Sequence, residues 1–154
     1  MTFLLCNACT NSPEFEQAKA QYLTQSYILA MAMGLKGNIW YSVAGWRNSG
    51  FVDKNNNPLP VFHAYQFAYQ QLAKAQAVGE VTSVDVGSDL VRGVKFNRDG
   101  QEVWVLWSMD GGSQEINLSN EPKEMYRMNA QGTFGGQAPA KTMTITADPV
   151  YLIW

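Results

Sequence analysis

The residues best suited by type to do chemistry are aromatic. Trp40 and Tyr41 stand side by side in an apolar run, and Trp46-Arg47-Asn48 follows in a polar stretch. An aromatic face stacks on the apolar C–H face of a pyranose ring, so this set points to a carbohydrate contact. Successive residues of a strand face opposite sides, so at most one of Trp40 and Tyr41 is such a contact, and core packing accounts for either without one. Trp46, Arg47 and Asn48 are the better candidates, because a Trp-Arg-Asn run in a long polar connection has less packing to explain it.

Other constellations fail by count or context. Cys6-Asn7-Ala8-Cys9 offers two thiols, but a closed zinc site takes four ligands and the single histidine, His63, stands far along the chain. A turn carrying two thiols is a simpler account than metal or redox chemistry. His63 has no serine, cysteine or acid in a nucleophile frame and reads as a helix-surface or capping residue. Asp110-Gly111-Gly112 and the span from Asp85 to Asp89 lack the oxygen ligands of a calcium loop and read as turns. Met31, Met33 and Met143 read as core filler. No glycine-rich loop with a lysine sits between a strand and a helix, so neither a nucleotide nor another cofactor is expected.

The chain holds 154 residues, 11 of them basic and 13 acidic, for a net charge of -2. That leaves no surplus cationic charge to hold phosphates, which argues against nucleic acid and an anionic membrane as partners. The longest strongly apolar stretch, residues 28–35, falls far below the roughly 18 to 20 residues that cross a bilayer. Residues 1–6 are apolar but lack a basic flank and a small-residue cleavage pattern, so no targeting signal can be read and the compartment stays open. With 46% hydrophobic residues, the chain can bury a core as one domain or as two small ones sharing an interface.

Positioning the aromatic set falls to a helical first half. Ser12-Pro13-Glu14 supplies an N-cap, a first-turn proline and an acid at the positive end of the helix dipole. With apolar residues such as Tyr22, Leu23, Tyr27 and Ile28 at three- and four-residue steps, this predicts a helix over 13–33, stopped by Gly34. Residues 38–44 are β-branched, aromatic and bounded by glycines, which predicts a buried strand. The connection 46–58, with Asn55-Asn56-Asn57-Pro58, has turn chemistry, and loops of that length are often functional. Pro60 opens a second helix, 60–77, on apolar positions that include Phe62, Tyr65 and Leu72, with Gly79 as its stop.

From Glu80 the hydrophobic period changes to two. Strands are predicted at 81–86, 90–96, 102–107, 115–118, 124–128, 142–146 and 150–154, a small β-sandwich pattern. Asn97-Arg98-Asp99-Gly100 joins one pair of strands as a hairpin and Asp110-Gly111-Gly112 the next, so adjacent strands are expected to pair antiparallel. Val103, Val105 and Trp107 share one face of their strand and Trp104 and Leu106 the other, so both sides are expected to be covered, the second by the helical half. The predicted class is α+β: two helices and one or two strands packed on a C-terminal antiparallel β-sandwich, divided as 1–79 and 80–154.

One combination of segments is more specific. A helix leads into Gly34-Leu35-Lys36-Gly37-Asn38-Ile39-Trp40-Tyr41-Ser42, then Gly45-Trp46-Arg47-Asn48-Ser49-Gly50-Phe51-Val52-Asp53, then Pro58-Leu59-Pro60-Val61-Phe62-His63-Ala64-Tyr65. This order resembles the last part of the (β/α)₈ barrel in clan A retaining glycoside hydrolases. The β-rich remainder, closing on Asp148-Pro149-Val150-Tyr151-Leu152, is similar to the accessory β-sandwich that follows the barrel in many of these enzymes. The likeness runs from about Ser12 to Trp154.

It implies that helix 13–33, strand 38–44 and helix 60–77 correspond to the seventh helix, eighth strand and eighth helix of a barrel. It also implies an aromatic residue near the end of that strand lining a sugar pocket. A complete barrel takes about 250 residues, so residues 1–79 leave no room for at least six βα units. The resemblance further implies two acids about 5 Å apart, one after the fourth strand and a nucleophilic Glu ending the seventh. The first is absent by length. The second would lie just before Leu4-Leu5-Cys6, yet no acid precedes Glu14, and the helix dipole explains Glu14 and Glu16. No catalytic residue is assigned.

Three readings follow. The chain is a truncated or vestigial glycoside hydrolase piece, not catalytic alone; or a non-catalytic carbohydrate-binding module with a glycan partner; or a structural subunit. In the last, exposed former barrel faces pair between copies in a homo-oligomer or with a missing N-terminal portion of the enzyme.

Overall fold

The computed structural model describes residues 12–40, 42–44 and 49–154. Helix α1 (Pro13–Ala32) begins as the sequence predicts, with Ser12 Oγ accepting from the Phe15 amide at 3.3 Å, and the chain leaves it through Gly34 at φ +70°. Helix α2 (Pro60–Leu72) starts on Pro60 but stops short of residue 77. The reason is tertiary: strand β1 (Gln76–Val81) is drawn into the sheet as the antiparallel neighbour of β2 (Val91–Arg98).

The expected strand over 81–86 is likewise corrected. Val81 ends β1, and the single-turn helix α3 (Ser83–Val86) follows, because Thr82 and Asp85 close a capping box in which the Thr82 amide donates to Asp85 Oδ2 at 2.8 Å. Alternating valines make this stretch read as strand, while the threonine three residues ahead of an acid decides it.

The expected strand over 38–44 is corrected too. Ile39 and Val43 are 94% and 68% exposed, and the one ladder contact of the segment among the described residues is an isolated bridge from Ala44 to Val52. A β-rich run becomes a buried strand only beside a second strand and under a cover, and the described residues give this one a single bridge and leave Ile39 and Val43 uncovered.

The remaining strands are β3 (Gln101–Ser108), β4 (Gln114–Asn117), β5 (Glu124–Met128), β6 (Phe134–Gln137), β7 (Thr142–Ile145) and β8 (Val150–Ile153). They form a six-stranded sheet in the order β1-β2-β3-β8-β5-β6 and a two-stranded sheet, β4-β7. β6 adds to the expected set; its Gly135-Gly136 centre hides any strand pattern. The β2–β3 hairpin turns through Asp99 and Gly100, both at positive φ. Asp110-Gly111-Gly112 does not make a second hairpin. β3 pairs with β8 and β4 crosses to β7, with Asp110 Oδ1 accepting from Ser108 Oγ at 2.7 Å and the Gly112 amide at 2.8 Å as the chain changes sheet.

Both faces of the large sheet are covered, as the alternation in β3 predicts. Phe96, Val103, Val105, Trp107 and Tyr151 pack against Ile28 of α1 and Ala68 and Leu72 of α2. Leu106, Val150 and Leu152 pack against Ile116, Met143 and Ile145 of the small sheet. Met31 borders the helical core and Met143 is buried, but Met33 is exposed and is not core filler. Three glutamines at four-residue steps fasten α1 to the β7–β8 turn. Gln17 and Gln21 Nε2 donate to Asp148 Oδ1 at 2.9 and 2.7 Å, and Gln25 Nε2 donates to the Ala147 carbonyl at 3.1 Å.

Two side chains lead to measurable expectations. Tyr151 is wholly buried between helices and sheet, its hydroxyl has no hydrogen-bond partner among the described residues, and burial drives its ionisation far above the ordinary phenol range. Deleting an unpaired buried hydroxyl relieves its desolvation, so Tyr151→Phe is expected to stabilise the protein by about 1 kcal/mol in urea denaturation. A loss of stability would show that the hydroxyl is bonded.

Asp85 is the second. Burial opposes its ionisation but is outweighed by the Lys95 ammonium at 2.6 Å and by Thr82, so its carboxyl titrates below the usual aspartate value. Stability from a depressed carboxylate is present above the unfolded value, about pH 4, and drains away as pH falls through the lower folded value. Lys95→Met is expected to shrink the stability difference between pH 5 and the acid limb below about pH 4. An unchanged pH profile would remove this pair from the account.

Candidate functional site

Between α1 and α2, the described residues meet through backbone carbonyls of Val43, Ser49 and Gly50. Trp40 Nε1 donates to the Ser49 carbonyl at 2.6 Å, and Lys19 Nζ donates to the next carbonyl, Gly50, at 3.2 Å. The Phe51 and Val52 amides reach back to the Val43 carbonyl at 2.9 and 3.2 Å. Asp53 Oδ1 then accepts from the amides of Asn55 and Asn57 at 2.7 and 2.8 Å, with Asn56 at φ +64°, so the asparagine run makes the tight turn its composition predicts.

Lys19 is buried beside Glu16, with Nζ to Oε2 at 2.8 Å. Burial lowers the Lys19 pKa, against the opposing pull of the Glu16 hydrogen bond and charge. All thirteen acids of the sequence lie in described residues, and Glu16 is the one that is buried. Neither the ion pair nor its link to Gly50 is visible in the sequence, where Glu16 reads as compensation for the helix dipole.

Of the five sequence candidates, Trp40 is placed; Tyr41, Trp46, Arg47 and Asn48 lie outside the described residues, as do Cys6 and Cys9. Trp40 is half-buried, its ring 6.3 Å from Tyr22 and 5.9 Å from Phe51. From Phe51 the aromatic series continues along α2, to Tyr65 at 5.5 Å and on to Tyr69 at 6.4 Å, while Tyr27 closes on Tyr65 at 6.0 Å. Tyr22 and Tyr65 read as core positions from helical spacing but are exposed, and Tyr69 joins them. His63 is half-buried on α2, edge-on to Phe62 at 5.8 Å.

Among the described residues no cluster of three or more His, Cys, Asp or Glu side chains is placed to hold a metal ion, and no helix is long and apolar enough to cross a membrane. A shallow cavity of about 200 Å³ lies between the end of α1 and the β1 edge, lined by Leu29, Met33, Ala77, Glu80 and Arg92 among others. Glu80 is its single acid, so it offers no carboxylate pair for acid–base work.

No protein-family model and no curated protein sequence matches the chain. Its architecture does match solved structures. A family 39 glycoside hydrolase from the gut symbiont Bacteroides cellulosilyticus superposes with a TM-score of 0.68 at 17% identity, over 96% of this chain and 31% of that one. A conserved exported protein from Bacteroides fragilis gives 0.63 at 12% identity, over 99% and 37%. A GH30 endoxylanase from Clostridium papyrosolvens gives 0.55 at 12% identity, over 89% and 38%. At such identities the likeness shows the fold alone, and this chain spans about a third of the length of each of these structures.

Proposed function

We propose that this chain is the closing portion of a clan A glycoside hydrolase fold, a barrel end with its accessory β-sandwich, and that it is not catalytic by itself. The observation that carries the reading is the state of its acids. A retaining site holds two carboxyl groups about 5 Å apart in a shielded cleft. Here the one buried acid, Glu16, is committed to the Lys19 ammonium, and the remaining twelve are not buried. The exposure of Ile39 and Val43 supports the same reading, since a β-rich run presenting apolar side chains to water suits pairing with polypeptide from the rest of such a fold.

The purified chain is expected to release no nitrophenol from aryl β-xylosides, β-glucosides or β-galactosides above a matched blank. Turnover that persists through a second purification and disappears in Glu16→Gln would overturn the reading and make Glu16 a catalytic candidate.

A further inference from the structure

We infer that Asn117 is an acceptor for N-linked glycosylation. Asn117-Leu118-Ser119 is the single Asn-x-Ser/Thr triplet of the 154 residues, and its middle residue is not proline. Glu115 stands two places ahead of the asparagine. It completes the acid-x-Asn-x-Ser pattern read by bacterial oligosaccharyltransferases, in which the carboxylate pairs with a cation of the enzyme. In the transfer, Asn117 Nδ2 attacks C1 of an oligosaccharide carried on a polyprenyl diphosphate. The C1–Nδ2 bond forms, the C1–O bond to the diphosphate breaks, and the amide gives up one proton.

Such a triplet is usable only where the folded chain leaves the sugar in water. β4 ends at Asn117, and the Leu118 amide carries its pairing with β7 one step further by donating to the Lys141 carbonyl at 2.8 Å. Side chains alternate along this stretch: Ile116 and Leu118 are buried in the core shared with the large sheet, while Glu115, Asn117 and Ser119 are exposed on the outer side. Asn117 stands opposite Thr142 and Glu115 opposite Thr144, so the outer side is polar. The Asn117 side-chain amide makes no hydrogen bond among the described residues, so a sugar on Nδ2 breaks none. The small sheet covers the face of the large sheet that α1 and α2 do not, and a glycan there stands clear of the helical layer. The inference goes beyond the non-catalytic reading above and does not depend on it.

The test exports the full chain behind a cleavable leader into the periplasm of cells that carry a bacterial oligosaccharyltransferase and its lipid-linked donor. A second acceptor sequence appended after Trp154 serves as control, and peptide mass mapping reads the result. One glycan is expected on the peptide that holds Asn117. Asn117→Gln and Ser119→Ala are expected to lose it and Ser119→Thr to keep it. Glu115→Gln is expected to lower its occupancy about ten-fold, through loss of one charge-assisted contact. All three positions are exposed, so the variants keep the fold, and the glycosylated chain is expected to melt within about 2 °C of the bare one.

A bare Asn117 on a chain whose control tail is modified would overturn the inference. So would a sugar that persists on the same peptide in Asn117→Gln, or a glycosylated chain that no longer unfolds cooperatively. These outcomes leave the aryl-glycoside result untouched, and turnover in that assay would leave the Asn117 site standing.

Discussion

Gly132→Ala is expected to cost about 3 kcal/mol, because two penalties coincide at one position. Gly132 has φ +71°, a conformation that an L side chain adopts only with strain, and it closes the β5–β6 turn by donating its amide to the Asn129 carbonyl at 2.9 Å. A Cβ built there would stand 2.0 Å from the Pro60 carbonyl oxygen and 2.6 Å from its carbon. Both atoms are backbone at the first residue of α2, so no side chain can swing aside. The substitution forces the helix and the turn apart where the helical layer meets the sheet. For a chain of this size the midpoint of thermal unfolding is expected to fall by roughly 6 to 12 °C. A fall of only about 1 or 2 °C would mean that the helix and the turn do not touch at this point.

Phe96→Ala is expected to cost about 3 to 5 kcal/mol. Phe96 lies on β2, fully buried on the face that receives Ile28, Ala68 and Leu72 from the two helices, so truncation opens a cavity where sheet and helices meet. Loss of the ring removes its transfer free energy, and the close-packed strands on either side relax little into the space. Urea denaturation of the variant reads the effect directly. A cost below about 1 kcal/mol, the range of surface changes, would place the helices elsewhere than on this face. The nearby Tyr151→Phe provides the contrast: the same core, a change of one hydroxyl, and the opposite sign.

The two largest expected effects sit at points of different legibility. Phe96 shares a face with Val94 across Lys95 in a strand whose period is plain, so its burial can be read along the chain. Gly132 cannot be ranked from sequence above the other glycines, since what constrains it is the Pro60 backbone, more than seventy residues away. The same divide separates the candidate residues. Ser12, Pro13 and Pro60 announce their helices through local chemistry, and Asn97 to Gly100 its hairpin. Trp40 and Lys19 reach across to the carbonyls of Ser49 and Gly50, and a carbonyl carries no residue-specific mark.

Sequence by itself determined the two helix starts, the change to strand periodicity, the apolar alternation on both faces of β3 and the lack of surplus basic charge, since caps and turns act over three or four residues and charge is a matter of composition. Tertiary structure decided the end of α2, the fate of residues 38–44, the pairing of β3 with β8, and which tyrosines face water. Each of these depends on whether a distant segment arrives to satisfy backbone groups or cover an apolar side. A strand pattern states that a segment can pair; only the neighbour that reaches it settles whether it does.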